Sequence, residues 1–365
     1  MRFIEEYRKP EIQKRIYKEI QRKSSLLKKN INLMEVCGTH TMVIGRYGIR
    51  KLMPENINLI SGPGCPVCVS PENFIDTAIE ISKKKDVMIT TFGDMMKVPG
   101  SFSSLEKEKA IRGNIFVVYS PLDALKIAEE NLEKNIIFLS IGFETTAPLI
   151  AQTIKIAKEK KIKNFFILCG NKLIPPAMIN LLEEKDTNID GFICPGHVSV
   201  IIGTSPYIEI TERFNVPCVI SGFEPFDIIL SIYILLSNLI EEKYEVINEY
   251  KRTVKEEGNL KAKKIIEEVF DIVDSEWRGI GIIKNSGLKL KKEFENFDAE
   301  KRYEVNIKKY SKNKRNCICG EILKGKKTPF DCSLFEKICN PENPIGPCMV
   351  SSEGTCSAYY KYEKK

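Results

Sequence analysis

Residues 31–68 read INLMEVCGTHTMVIGRYGIRKLMPENINLISGPGCPVC, and this stretch decides the fold. Two short apolar runs, Ile31 to Val36 and Ile57 to Ser61, are typical of buried strands. Each run continues directly into a loop rich in glycine and cysteine, and a helical stretch lies between them. This order is the one expected of parallel strands joined by crossover helices.

The same alternation of apolar runs and amphipathic stretches continues to about residue 221, after which long helical segments and a lysine-rich tail follow. We therefore predict an α/β protein with parallel sheets and a helical, loop-rich C-terminal region. The predicted domains are 1–119, 120–225 and 226–365. Further strands are predicted at Asp86 to Thr91, Ile115 to Tyr119, Ile136 to Ile141, Phe165 to Cys169, Gly191 to Cys194 and Pro217 to Ser221, and helices at Phe226 to Glu242 and Leu260 to Val273.

The composition of the 365 residues, 43% apolar and 29% charged, is that of a folded globular protein. The net charge of +7 comes from residues 301–327, where ten Lys or Arg face two Glu, so the rest of the chain sums to −1. We interpret this tract as a solvated segment, which does not favour a nucleic-acid binder. The longest apolar run, Ile228 to Ile240, is too short to span a bilayer. The N-terminus lacks an apolar export signal, so we expect a cytoplasmic protein.

Three loops carry the first set of chemically active residues: Cys37 with His40, Cys65 with Cys68, and Asp94. Each loop follows a predicted strand, and ligands gather at the carboxyl ends of parallel strands. If the strands are neighbours, the three loops open at one edge. Helix N-termini there would favour thiolates over thiols. The pattern indicates a reactive thiol site.

Other interpretations of these residues stay open. A lone Cys37 is more often a small buried apolar residue. The pair Cys65 and Cys68 has the spacing of a reversible disulfide, but with Cys37 and His40 it also matches a Cys3His zinc site. Asp94 is equally compatible with an ordinary turn residue.

Six cysteines form a second set between residues 317 and 356, and their spacing matches neither a ferredoxin nor a zinc ribbon. A [4Fe-4S] cluster on four thiols with a nearby dithiol accounts for all six, whereas zinc or three disulfides are the alternatives. A reducing compartment disfavours disulfides. The remaining cysteines, Cys169, Cys194 and Cys218, are interpreted as packing residues, and His197 as either a structural or a site residue.

Six segments, in the same order, closely resemble the hydrogenase maturation factor HypD family over nearly the full chain. No cysteine-bearing position in them departs from the family pattern. The segments are Met34 to Thr41, Gly62 to Cys68, Thr91 to Ser101, Gly142 to Thr146, Cys194 to His197 and Gly346 to Cys356.

The resemblance implies two Rossmann-like domains and an iron-sulfur domain similar to that of ferredoxin:thioredoxin reductase. It implies an assembly scaffold, rather than a conventional turnover enzyme, for the Fe(CN)2CO group of [NiFe]-hydrogenases. The implied partners are HypC and HypE, and indirectly HypF and the hydrogenase large subunit. Cys37 would hold iron together with a HypC thiol, and Cys65 with Cys68 would form a redox-active pair.

The resemblance further implies Cys317, Cys332, Cys339 and Cys356 as ligands of a [4Fe-4S] cluster, with Cys319 and Cys348 as an adjacent thiol pair. His40, Asp94 and Glu144 are then candidates for donating hydrogen bonds or protons to the bound iron ligands. Two rival functions remain at this stage. One is an iron-sulfur disulfide reductase acting on partner proteins through Cys65 and Cys68, and the other is a zinc-binding interaction protein.

Overall fold

A computed structural model describes residues 10–305 and 316–363, so part of the basic tract, residues 306–315, lies outside the described residues. The chain forms two parallel sheets and one antiparallel hairpin, which confirms the predicted α/β class. The first sheet has the order β2-β1-β7-β8-β9 and the second β4-β3-β5-β6. Their strands are β1 (Ile31–Glu35), β2 (Ile57–Ser61), β3 (Val87–Thr91), β4 (Ile115–Val117), β5 (Asn135–Ser140), β6 (Phe165–Cys169), β7 (Gly191–Pro195), β8 (Cys218–Ser221) and β9 (Val246–Asn248).

All eight strands predicted from the sequence are present, but their partners differ from the predicted arrangement. Strand β1 pairs with β2 on one side and with β7 on the other, so the first sheet combines strands from both predicted N-terminal domains. The limits at residues 119 and 225 therefore do not follow the division into sheets. Strand β3 lies in the second sheet, so the Asp94 loop does not share an edge with the Cys37 and Cys65 loops. Apolar patterning identifies strands without specifying their neighbours.

Sixteen helices accompany the strands within the described residues. A predicted helix over 260–273 is too long, because its second part is a strand. The helices are α1 (Pro10–Leu26), α2 (Gly38–Arg46), α3 (Ile49–Leu52), α4 (Pro66–Val69), α5 (Glu72–Ser82), α6 (Leu105–Arg112), α7 (Pro121–Glu130), α8 (Ala147–Glu159), α9 (Ile174–Glu183), α10 (Gly196–Ile202), α11 (Ile208–Phe214), α12 (Pro225–Ile240), α13 (Leu260–Val269), α14 (Ala299–Arg302), α15 (Cys319–Leu323) and α16 (Thr355–Tyr362).

A hairpin of β10 (Phe270–Trp277) and β11 (Gly281–Leu290) replaces the end of the predicted helix. Phe270 and Trp277 are buried, and the indole N–H of Trp277 donates to Ser286 at 2.8 Å. Apolar residues at 269, 272 and 273 continue the helical spacing of α13, which explains the error. Pairing with β11 overrides this local pattern.

The C-terminal region packs on the first sheet's loops rather than standing apart. Helix α16 contacts α2, and the 3-10 turn Pro347–Met349 contacts α4. In the part of the chain that the structure describes, no helix combines the length and apolar character needed to cross a bilayer. The fold therefore brings the two cysteine sets, far apart in sequence, next to each other.

Candidate thiol site and cysteine-lined cavity

The loops after β1 and β2 are in direct backbone contact. Cys37 occupies the N-cap position of α2 in an extended conformation. The amide of Gly38 donates to the carbonyl oxygen of Gly64 at 3.0 Å. A Cβ on Gly64 would overlap the backbone of Cys37, so only glycine permits this approach. The predicted convergence of the Cys37 and Cys65 loops is therefore present.

Cys65 and Cys68 are joined by a disulfide, with their Cα atoms 5.2 Å apart, at the start of α4. Both residues are buried. The Sγ atom of Cys68 lies 3.9 Å from the carbonyl oxygen of Pro347, the residue before Cys348. The disulfide thus lies between the Cys37 loop and the second cysteine set.

Two histidines and an aromatic ring surround Cys37. Its Sγ lies 3.7 Å from Nε2 of His197, which follows β7. The ring of Phe223 stacks on His197 at 5.1 Å between centroids and lies 5.0 Å from His40. Nε2 of His40 contacts the carbonyl oxygen of Gly222 at 2.8 Å, so His40 supports the loop after β8.

Burial controls the protonation of these groups. It raises the pKa of Cys37 to about 12 and lowers the pKa values of His40 and His197 to about 4 each. At neutral pH the pocket therefore holds a thiol and two neutral imidazoles. The thiolate expected for Cys37 is not favoured here, because desolvation outweighs the stabilisation by the N-terminus of α2.

A chain of polar contacts links the Cys37 loop to Asp94. Thr39 Oγ1 donates to Glu353 Oε1 at 2.8 Å, and the amide of Glu353 donates to Ser351 Oγ at 3.3 Å. Ser351 Oγ in turn donates to Asp94 Oδ2 at 2.9 Å. Asp94 therefore reaches this region from the second sheet through the loop that precedes Cys356.

Glu144 lies in a separate buried position after β5. Its Oε1 accepts a hydrogen bond of 2.9 Å from the amide of Ile174, at the start of α9. Burial raises the pKa of Glu144 to about 7. Glu144 is thus hydrogen-bonded to the start of α9 rather than to the Cys37 loop.

The raised pKa of Glu144 predicts a pH-dependent gain in stability for Glu144→Gln. The folded protein retains the Glu144 proton up to about pH 7, whereas the unfolded chain loses it near pH 4.5, so wild-type stability falls as pH rises between these values. A glutamine keeps the acceptor for Ile174 and avoids burying a charge. We expect the variant's advantage to be about 2 to 3 kcal/mol larger at pH 8 than at pH 5.

Urea denaturation of both proteins at pH 5 and pH 8 measures this difference. The control is Glu133→Gln, which alters an exposed carboxylate. An advantage for Glu144→Gln that is the same at both pH values would show that Glu144 does not retain its proton when folded.

The six C-terminal cysteines line one small cavity between α15, the Pro347–Met349 turn and α16. The thiols of Cys319 and Cys348 are close enough to shift each other's pKa, and the same holds for Cys319 and Cys317. The amide of Ile345 donates to Cys339 Sγ at 3.4 Å. The contact with Cys319 and burial together raise the pKa of Cys317. Six converging thiols form a donor set that suits a bound iron-sulfur group.

The zinc interpretation of the first set does not fit the geometry. His40 points to Gly222, and Cys65 is bonded to Cys68. The donors of a Cys3His centre are therefore not assembled.

Sequence reasoning missed two residues of this site, Phe223 and Glu353, and left His197 undecided. The signal for Phe223 was present, because Gly-Phe-Glu occurs after strand ends at both 142–144 and 222–224. Glu353 lies in the tail segment, and only its contact with Thr39 reveals its place beside Cys37.

Together, the fold and the site define a class of protein: an α/β protein with two parallel sheets in which a buried disulfide separates a single thiol from a cavity of six cysteines. The family model described as "HypD: Hydrogenase formation hypA family" matches residues 11–363. The chain belongs to the HypD family.

Curated relatives match over almost their whole length. The protein named hydrogenase maturation factor HypD2 from Bradyrhizobium diazoefficiens is 45% identical, with 99% of this chain and 97% of the relative covered. Hydrogenase maturation factor HypD from Escherichia coli K12 is 42% identical, covering 100% and 99%. A putative hydrogenase expression/formation protein from Methanocaldococcus jannaschii is 44% identical, covering 96% and 97%.

Proposed function

We propose that this chain acts in hydrogenase maturation as the scaffold on which the Fe(CN)2CO group is assembled, in complex with HypC and HypE. The observation that carries the proposal is the convergence of Cys37, the Cys65–Cys68 disulfide and the cysteine-lined cavity in one region. Family membership and the names of the curated relatives support the same conclusion.

In this proposal Cys37 is the anchor for the iron, which is cargo and not a resident cofactor. Thiolates are the soft donors that low-spin iron prefers. Because burial favours the thiol form of Cys37, iron binding displaces the thiol proton. The second thiolate would come from HypC. Neutral His197, 3.7 Å from Cys37 Sγ, orients the sulfur by a hydrogen bond.

The cavity fits a [4Fe-4S] cluster by the chemistry of its donors, since all six lining cysteines are thiols and most of them are buried. We propose that Cys317, Cys332, Cys339 and Cys356 hold the cluster. When bound, the cluster would supply electrons one at a time. In this proposal Cys319 and Cys348, which are close enough to shift each other's pKa, are the separate redox pair; Cys319 interacts with Cys317 in the same way.

The redox pair and the disulfide can exchange electrons within the chain. Oxidation of the Cys319 and Cys348 thiols to a disulfide releases two electrons and two protons, and reduction of the Cys65–Cys68 bond consumes both. The position of Pro347 against Cys68 gives a short connection from Cys348. Reduced Cys65 and Cys68 would then lie beside the Cys37 loop.

The polar residues predicted for the site have different positions in this proposal. His40 contacts the carbonyl oxygen of Gly222 and packs on Phe223, whose ring also stacks on His197 beside Cys37. Asp94 orients the Ser351–Glu353 segment next to Thr39. Glu144 accepts a hydrogen bond from the amide of Ile174 at the start of α9, so this proposal gives it no proton-donating role at Cys37.

A disulfide reductase acting on partner proteins is the second candidate function. The disulfide beside a cysteine-lined cavity favours it. Turnover of a protein disulfide by the isolated chain would select this function, and it would leave Cys37 without a role.

The test of the proposed function is complementation of a strain that lacks its own family member. We expect the chain to restore [NiFe]-hydrogenase activity, and the anaerobically purified protein to contain about four iron and four sulfide per chain. Failure to restore activity despite normal expression, or stoichiometric zinc without labile sulfide, would contradict the proposal.

A further inference from the structure

Arg278 lies in the turn of the β10–β11 hairpin and contacts three separate parts of the site. Its amide donates to the carbonyl oxygen of Val69, the last residue of α4, at 2.9 Å. Its Nη1 donates to the carbonyl oxygen of Pro99 at 2.8 Å, in the segment that follows Asp94. Its Nη2 pairs with Glu72 Oε1 at 2.9 Å, in the first turn of α5.

The same turn also touches the cysteine-lined cavity. Gly279, with φ of +76°, packs so closely on α15 that an added Cβ would lie 2.6 Å from the Cα of Gly320. The guanidinium of Arg278 is near enough to the thiols of Cys319 and Cys348 to act on them electrostatically. The hairpin turn therefore lies between α4, which carries the disulfide, and α15, which lines the cavity.

The side chain of Arg278 is largely buried, so its contacts differ from those of an exposed surface ion pair. Only 10% of its side chain is exposed. A planar guanidinium can donate hydrogen bonds to a carbonyl oxygen and a carboxylate at the same time. The ammonium group of lysine is less suited to this, because it is a compact charge on a flexible stem. Losing the guanidinium leaves the carbonyl oxygen of the buried Pro99 without this donor, whereas Glu72 is partly exposed to water.

We propose that Arg278 is a positioning residue that fixes the Cys65–Cys68 segment and the Pro99 loop against the cysteine-lined cavity, so that the disulfide stays within reach of the Cys319 and Cys348 pair. The inference deepens the proposed function and rests on it for its redox consequence. The positioning itself is a property of the chain alone.

The first test is amide hydrogen exchange in the protein as purified. In Arg278→Gln we expect exchange in segments 72–76 and 95–101 to be about tenfold faster, because they lose the side-chain contacts at Glu72 and Pro99, whereas the amide bond to Val69 remains. The control is Arg213→Gln, which removes an exposed ion pair with Glu183. Exchange that stays at the wild-type rate in both segments, or that rises equally throughout the chain, would overturn the inference.

Gly279→Ala provides a second variant with a matched control. We expect faster exchange in segment 317–323, because the new Cβ displaces the turn from Gly320. Gly113→Ala imposes a similar backbone strain, with φ of +73°, but meets nothing within 4 Å. Equal local effects at both glycines would show that strain, and not the contact with α15, is responsible.

The second readout is reduction of the Cys65–Cys68 disulfide, followed by alkylation and mass spectrometry. Two reduced viologen molecules supply two electrons, two protons enter from water, and the S–S bond becomes two thiols. In Arg278→Gln we expect this reaction to slow about tenfold, whereas direct reduction by dithiothreitol does not slow. Equal slowing with both reductants, or with neither, would refute the redox consequence.

The two readouts separate this inference from the proposed function. If viologen reduces the disulfide no faster in the wild-type protein than in Cys332→Ser, the proposed function fails. The exchange experiment still decides whether Arg278 positions the two segments.

Discussion

We expect Cys37→Ala to abolish hydrogenase maturation. In the proposed complex with HypC, we expect the iron bound in addition to the proposed cluster to fall to background. The expected loss of activity is at least about 100-fold, because removal of a ligand or of the group that carries the chemistry has effects of this size. Hydrogenase activity in the complemented strain and iron analysis of the complex measure it. The physical reason is that Cys37 is the one thiol of the pocket that is neither in the disulfide nor in the cysteine-lined cavity.

Folding of Cys37→Ala is the necessary control, since Cys37 is buried at the N-cap of α2. Its side chain makes no capping hydrogen bond, so alanine removes a small buried group and its 3.7 Å contact with His197. Cys218→Ala, a change at a buried cysteine in β8, is the matched control and should retain maturation. Normal iron content and activity in Cys37→Ala would exclude the anchor role.

Cys65→Ser is the second variant with a large expected effect: we expect it to abolish maturation but to leave the proposed cluster in place. The reason is that neither Cys65 nor Cys68 is among the residues that line the cavity. We expect a loss of about 100-fold or more in restored hydrogenase activity, with unchanged visible absorption and unchanged sulfide content.

Two comparisons make the result for Cys65 specific. Cys332→Ser should lose the cluster absorption together with activity, because Cys332 lines the cavity. Loss of the cluster in Cys65→Ser would instead assign Cys65 a ligand role. Full activity of Cys65→Ser, which cannot form the disulfide, would show that maturation does not require the proposed redox step.

Much of the fold could be predicted from sequence, because short β-branched runs between helical stretches mark eight of the strands; β9, β10 and β11 were not predicted. Strand partners could not be predicted. Strand β1 pairs with β7, about 160 residues later in the chain, and this pairing depends on which faces the crossover helices cover. The hairpin after α13 was missed because its first apolar residues continue the helical period.

The candidate site followed the same pattern. Local motifs identified Cys37, Cys65 and Cys68, since each lies where a strand ends in a glycine-rich loop. The contacts of Glu353 with Thr39 and of Arg278 with Pro99 connect residues about 180 to 310 positions apart. Only tertiary structure brings such pairs together. The protonation state of Cys37 could not be predicted from the sequence either, because its pKa depends on burial.

The infrared spectrum of the complex with HypC, purified without oxygen, tests the central claim most directly. We predict bands of metal-bound cyanide and carbon monoxide in the wild-type complex, and their absence when Cys37 is replaced by alanine in an otherwise folded protein with its cluster intact. The same bands at full intensity in the alanine variant would contradict the claim that the thiol of Cys37 holds the iron.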